Sequence, residues 1–420
     1  MPERRAKLLS DGGVDDRYRG SKVKILYLNN APFIGGAQIT LRHIIRLLDR
    51  DRFEPHVAIP ESASALVPFF KSVNVPVILV RMERLTQQGS RALLHLARAV
   101  KDLVEVVVSR KIDILHSNAM RGGMLGTLVG RITGRKFVWT LNDAGTIWAV
   151  RQMTRWPDRV TCVSQAVYDA YRDVPRSHFE VIYNGVTAEE LSPEVASARR
   201  VALRRELRIS EDAVVVGAVS RLVPYKGVDV LVGAMKTVIA EIPNAVMVHF
   251  GGPVPGHERH ASDLRRLVER CGLSDRTFFM GFRENVQYYY PLFDVFAHTP
   301  IEEAIVGTKQ RFCEAFGMNV AEAMAHRLPV VASASGGLRE VVEDGVTGYL
   351  VQTKDPDEVG SRLVALLQDS GKRRAMGEAA YRRYSSLFRQ EREVRDFERL
   401  YLELMGRTES CAARPLVAMR

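Results

Sequence analysis

Long apolar runs are missing from this chain. The longest, such as AVVVGAV at 213–219, fall far short of the ~20 residues that a membrane-spanning helix requires, so no crossing of a bilayer is expected. Cysteine is scarce as well. The four present, Cys162, Cys271, Cys313 and Cys411, lie far apart without a C-x-x-C pair, which argues against a disulfide scaffold or a zinc site. A reducing cytoplasm fits that usage. The opening segment MPERRAKLLSDGGVDDRYRGSK has no apolar centre of the kind a secretory signal carries, and residues 1–21 are expected to form a flexible tail. Acidic residues are the minority charge, 49 Asp and Glu against 60 Lys and Arg, net +11. That balance points to nucleic acid, an anionic membrane surface or an anionic substrate. The arginines have little aromatic interleaving, and no helix-turn-helix or RNA-binding signature occurs, so nucleic acid is set aside.

What is present is material for two α/β domains. At 420 residues, 46% of them hydrophobic, the chain exceeds what one core usually supports. From KILYLNN (24–30) to FEVIYNG (179–185), short β-branched runs alternate with helix-length segments, which predicts a parallel, doubly wound sheet. The segment from Arg91 puts Leu93, Leu96, Ala97, Val100, Leu103, Val104 and Val107 on one stripe, as a helix covering a sheet should. After a polar, Arg-rich stretch, a second strand series runs from AVVVGAVS (213–220) to YLVQ (349–352). The expected fold class is therefore α/β with two doubly wound, Rossmann-like parallel-sheet domains facing a cleft, 22–195 and 196–385. A closing helix at 386–408 is expected to return to the first domain, ahead of a tail at 409–420. In such sheets, ligands sit beyond the carboxyl ends of the strands.

Several strand-end loops carry the chemistry. Gly35 and Gly36 precede a helix, where backbone can approach a ligand and the helix start favours an anion; a plain Gly-Gly turn explains them equally. In RLVPYKG, Arg221 and Lys226 can bracket a diphosphate, one as a planar fork and one as a point charge, or be solvated surface cations. The stretch EAFGMNVAEAMAHRLPVVASASGG (314–337) sets Glu314 just before a Gly317 corner and Glu322 on the first turns of a helix starting near Met318 or Asn319. Eight residues at ~100° each leave the two carboxylates about 80° apart even on one helix. Two ends of an elongated ligand suit them better than an acid/base pair, with phosphate received at the helix start. Gly336 and Gly337 form another such corner. The segment GHERH (256–260) lacks metal-site spacing and is expected to be a solvated loop.

These motifs, together with NGV (184–186), FGG (250–252), GF…N (281–285) and GGLREVVEDGVTGYLV, resemble glycosyltransferase family 4, retaining nucleotide-sugar transferases of GT-B architecture. The resemblance runs in order from about residue 22 to 405. It implies that Arg221 and Lys226 neutralise the donor diphosphate and that Glu314 contacts hydroxyls of the transferred sugar. It further implies that Glu322 holds the ribose hydroxyls and that the backbone of Phe316, Gly317, Met318 and Asn319 caps the phosphates, with Gly35 and Gly36 approaching from the other domain. No metal or other cofactor is implied.

Two departures stand out. Where the family commonly has a histidine near the reaction centre, this chain has Asn142 and then Asp143; these two, with His116 as a neighbouring polar candidate, are assigned to the acceptor or sugar side. A lone strand-end histidine is also often structural. The segment IEEAIVGTKQRFC (301–313) lengthens the approach to Glu314, which suggests an altered acceptor or sugar pocket. A glycoside hydrolase would also use two carboxylates, but it leaves Arg221 and Lys226 without a role. In ASALVPFFKSV (63–73), Phe69 and Phe70 beside Lys71 fit either a buried helix or peripheral attachment to an anionic membrane surface. The expected activity is retaining transfer from a UDP- or GDP-linked sugar to a hydroxyl of a lipid-linked or cell-surface glycan acceptor, in the cytoplasm or on the inner face of the cell membrane. The alternative is a nucleotide-sugar-binding or membrane-surface module without transferase activity.

Overall fold

The computed structural model describes residues 21–31, 34–82, 90–144, 148–189, 191–304 and 311–407. The first sheet holds β1 (Val23–Leu28), β2 (Phe53–Pro60), β3 (Val77–Val80), β4 (Ile114–Ser117), β5 (Lys136–Leu141), β6 (Arg159–Cys162) and β7 (Phe179–Val181) in the order β3-β2-β1-β4-β5-β6-β7, all parallel. The second repeats the scheme with β8 (Val214–Val219), β9 (Ala245–Phe250), β10 (Thr277–Phe279), β11 (Val295–His298), β14 (Val330–Ser333) and β15 (Gly348–Val351), ordered β10-β9-β8-β11-β14-β15. The short strands β12 (Glu303–Ala304) and β13 (Arg311–Phe312) pair antiparallel outside it. The flanks of the segment expected as a plain loop thus form a ribbon; residues 305–310 lie outside the described residues. In both sheets the chain reverses its direction of winding between the first and fourth strands, the place where a doubly wound sheet opens a crevice.

The strands form as their residues predict. β8, VVVGAV, and β9, AVMVHF, are β-branched and apolar runs buried on both faces, as a parallel sheet covered by helices demands. The helices that matter below are α1 (Gly36–Leu47), α2 (Ser90–Ser109), α3 (Met120–Thr133), α4 (Gln165–Ala170), α5 (Met318–Ala325), α6 (Leu338–Val341), α7 (Ser370–Leu387) and α8 (Gln390–Leu404). On α2 the inward row differs from the expected stripe. Ala99, Leu103 and Val107 are fully buried while Leu93 is 70% exposed, so the buried row covers only the later turns of α2. The helix Pro193–Glu206 runs through the expected boundary at 195/196, and its Arg200 pairs with Asp294 beside β11 at 2.8 Å. The whole helix therefore sits with the second sheet.

α8 crosses back to the first sheet. Its Val394, Phe397, Leu400 and Tyr401 are buried in one cluster with Tyr27, Leu41, Ile44 and Phe53. Phe70 belongs to the same cluster, and Phe69 lies under the Arg42 guanidinium, 4.7 Å from its ring centre. Phe70 is thus core, whereas Phe69 is half-buried with its ring under Arg42. Glu258–Arg270 is a helix, so GHERH is only in part the loop expected of it.

Candidate active site

The loop after β8 carries Arg221 and Lys226. Its second half is a single 3-10 turn, Pro224–Lys226, closed by Gly227 at φ +60, where an added Cβ would lie 1.9 Å from the Thr299 carbonyl oxygen. Only glycine allows that approach, and it brings Lys226 beneath the end of β11. There the Lys226 ammonium lies 2.5 Å from Oε2 of Glu314, a half-buried carboxylate. Gly317, at φ +100, turns the chain into α5, so Glu314 precedes the helix start that the sequence predicts at Met318.

His298, the last residue of β11 and 3% exposed, supplies a partner that the sequence did not single out. Its Nε2 lies 3.2 Å from the same Glu314 oxygen, and its Nδ1 lies 3.0 Å from Asn319 Nδ2. Asn319 is oriented by donating from Nδ2 to the Val219 carbonyl at 2.7 Å. An amide nitrogen only donates, so Nδ1 accepts and Nε2 carries the proton given to Glu314. Burial lowers the His298 pKa, with Glu314 opposing, and the ring is neutral. For Glu314 burial pushes upward, but Lys226 and the His298 hydrogen bond outweigh it and hold the carboxyl well below its ordinary range. The group is a fixed anion.

Glu322, one turn into α5, is set differently. Tyr290 donates to it at 2.8 Å and Gln287 at 3.4 Å, and burial pushes its carboxyl up. The two carboxylates of the motif thus share no proton and no partner. Phe316 is buried, edge-on to Phe388 and tilted against Tyr183, so it contributes backbone to the corner while its ring serves packing. Arg221 is exposed and donates to the Tyr225 hydroxyl at 3.0 Å.

From the first domain, Asp143 follows β5 with its residue surface exposed, within electrostatic reach of Glu314 and Arg221. Desolvation by the surrounding cleft raises its carboxyl pKa, the Glu314 charge adds to the rise, and Arg221 opposes it. Asn142 donates to the Asn118 carbonyl at 2.7 Å. His116 is elsewhere: 2% exposed, with Nδ1 2.6 Å from the Tyr401 hydroxyl and Nε2 2.8 Å from Thr140 Oγ1. Both ring nitrogens are engaged inside the protein, so the acceptor-side assignment of His116 is corrected to a core residue tying α8 to β4. The space it adjoins, with Asn118, Asn142, Asn184 and Glu393, is ≈ 20 Å³, room for a water molecule and not for a sugar. Gly35 gives its N–H to Gln38 Oε1 at 3.1 Å, and beyond the Gly36 Cα lies open space. Among the described residues, no group of three His, Cys, Asp or Glu is placed to hold a metal ion.

The second domain thus brings two cationic side chains, Arg221 and Lys226, a carboxylate held as an anion and a helix start together at the carboxyl ends of its strands. Residues 34–190 match the model of Glycosyltransferase Family 4, and residues 200–383 that of Glycosyl transferases group 1. The chain belongs to these glycosyltransferases and has their GT-B fold. It is 27% identical over 363 residues, 83% of this chain and 89% of the relative, to a GDP-mannose-dependent monoacylated alpha-(1-6)-phosphatidylinositol monomannoside mannosyltransferase of Corynebacterium glutamicum. It is similar to the crystal structure of Anabaena HepE in complex with UDP and glucose, at 25% identity and TM-score 0.76, covering 90% of this chain and 99% of that one. Sucrose-phosphate synthase from Thermosynechococcus elongatus shares the fold at 20% identity and TM-score 0.73, covering 91% and 99%.

Proposed function

We propose that this glycosyltransferase moves a sugar, with retention, from a UDP- or GDP-linked donor to a hydroxyl of a lipid-linked or glycan acceptor. The observation that carries the reading is the single Glu314 oxygen shared by Lys226 and His298 directly before the start of α5. Lys226 has three N–H donors; one engages Glu314 and the others are directed to donor phosphate. Glu314 accepts from the sugar hydroxyls, Glu322 from the ribose, and the first N–H groups of α5 receive the diphosphate. As the bond from C1 to the phosphate oxygen breaks, the electron pair stays on the phosphate, where Arg221 and Lys226 stabilise it. The acceptor hydroxyl bonds to C1 from the same face and passes its proton to that phosphate oxygen.

The names of the relatives support a nucleotide-sugar donor, and that of the Corynebacterium enzyme a lipid-linked acceptor. At the mouth of the first domain, Ile34 and Ile39 are 52% and 40% exposed beside the start of α1, and Met120 is 41% exposed at the start of α3. The Asn118 side chain donates to the Ala37 carbonyl at 2.8 Å and so joins these two starts, giving an acceptor an apolar shelf.

A thermal-shift panel of UDP-, GDP- and ADP-sugars tests the donor, since a ligand that binds only the folded state raises the melting temperature. A rise with one base series is expected. A flat response to all three, with the protein folded, overturns the reading. Flotation with anionic vesicles tests membrane attachment, which the net charge of +11 favours; salt-sensitive binding is expected, and none would remove it.

A further inference from the structure

Across the cleft, the first domain touches the donor loop itself. α4 starts from Ser164, immediately after β6, and its first N–H groups have no partner within the helix. Ser164 Oγ accepts from the Val167 N–H at 3.1 Å and donates to the Ala315 carbonyl at 2.6 Å. The N–H groups of Gln165 and Ala166 go to the two carboxylate oxygens of Glu340, each at 2.7 Å. Glu340 is on α6 of the second domain, and α6 is itself bound to the donor loop, Gly337 N–H donating to the Glu314 carbonyl at 2.9 Å. Arg383 of α7 holds the base of α6, donating to the Glu340 and Val341 carbonyls at 2.7 and 3.0 Å.

We propose that Ser164 and Glu340 are positioning residues: together they form an interdomain clamp that sets the backbone at 314–317 for transfer when the two domains are closed. The backbone after Glu314 is held from both sides, by Gly337 of its own domain and by Ser164 of the other. Loss of either clamp contact frees the loop that orients Glu314 toward the sugar. An ordinary helix cap would come from the same domain, since a local residue serves α4 alone. A carboxylate supplied from the opposite domain serves it only while the cleft is closed. The catalytic consequence rests on the transfer reading above, whereas the clamp itself does not.

The experiment uses the full chain with Glu340→Ala, Glu340→Gln, Ser164→Ala and the Glu340→Ala/Ser164→Ala double variant, each checked for an unchanged folded spectrum. Hydrogen exchange is read at the Gln165 and Ala166 amides and at 314–317 without any ligand. Binding of UDP and GDP is read by calorimetry, and kcat and KM are read with the donor sugar. In Glu340→Ala, exchange at both places should quicken about tenfold or more and kcat fall about tenfold. Affinity for the nucleoside diphosphate should stay within about threefold. Glu340→Gln, keeping one acceptor oxygen, should fall between. The double variant should be no worse than the poorer single, as for residues acting as one unit. Unchanged exchange at Gln165 and Ala166 overturns the clamp. Faster exchange there with 314–317 and kcat unchanged reduces Glu340 to a helix cap and overturns the positioning role. A wild type that answers to no nucleotide sugar would sink the transfer reading, while exchange at 165–166 and 314–317 would still decide the clamp.

Discussion

The two halves of the molecule place a buried histidine near the carboxyl end of equivalent strands, His116 in β4 and His298 in β11, and use them for opposite purposes. Each strand is fourth in its domain and pairs with the first, β1 or β8. His116 meets two hydroxyls, Tyr401 and Thr140; His298 meets an amide and a carboxylate, Asn319 and Glu314. The first stitches the returning helix α8 to the sheet. The second fixes the Glu314 anion that we propose receives the donor sugar. Topology delivers a polar side chain to the edge of the crevice, and the neighbours decide whether it ties the fold together or orients a charged group such as Glu314.

The strongest way to break that contrast is to remove the anion. Glu314→Ala and Lys226→Ala should each lower kcat/KM for transfer by about 10²–10³-fold, since each removes charge or hydroxyl recognition at the reacting end of the donor. Steady-state kinetics on protein with a normal circular dichroism spectrum is the measurement, and full turnover in either variant would falsify the assignment of the site. A crossed comparison then separates the histidines. His298→Leu should lower kcat/KM about 10–100-fold, with Glu314 still paired to Lys226. His116→Ala should cost about 2–4 kcal/mol of unfolding free energy, as expected for a buried side chain with two hydrogen bonds, and leave kcat of the folded protein unchanged. If the two variants behave alike, the division of labour is wrong. Arg221→Ala comes next: the side chain is exposed, so donor KM should rise about tenfold with kcat less affected.

Much of this was legible in the sequence where the signal is local. The Gly317 corner, the helix start at Met318 and the loop placing Lys226 all come from neighbouring residues that dictate backbone geometry. The motifs assign Glu314 and Lys226 to one donor without predicting a contact between them, and the structure brings them together. What stayed hidden depends on distance along the chain. Tyr401 lies 285 residues from His116, and Glu340 lies 175 from Gln165, so no pattern within a window links them. His298 left a faint trace, a lone polar residue closing the apolar run VFA at a strand end. Phe69 and Phe70 are undecided in the sequence: two aromatics beside a lysine look alike whether they face lipid or the core, and burial of Phe70 in one cluster with the residues of α8 places that ring in the core.

The finest test of the comparison is pH, because both halves also bury a neutral histidine. Burial lowers His116 to about 3 in the first domain and His249, hydrogen-bonded to Ser220, to about 3 in the second. A group whose folded pKa lies below its unfolded value of about 6.5 leaves the unfolded chain binding more protons between those two values. Its stabilisation is complete above pH 6.5 and is lost as pH falls toward 3, at up to ~1.4 kcal/mol per pH unit for each histidine. Glu393 acts in the opposite sense. Burial holds its carboxyl well above the ordinary range, so its contribution is present at low pH and is lost as pH rises through the folded value. The total slope mixes the two, but the difference between wild type and variant does not. Between pH 6.5 and 5, above the range where Glu314 begins to protonate in the unfolded chain, denaturant titrations of His116→Gln and of His249→Gln should each show a shallower loss of stability than wild type. The two differences should be similar in size, since the rings are equally buried although their partners differ. A slope unchanged by His116→Gln would mean that the ring between Tyr401 and Thr140 is charged, and the contrast with His298 would then rest on something other than burial.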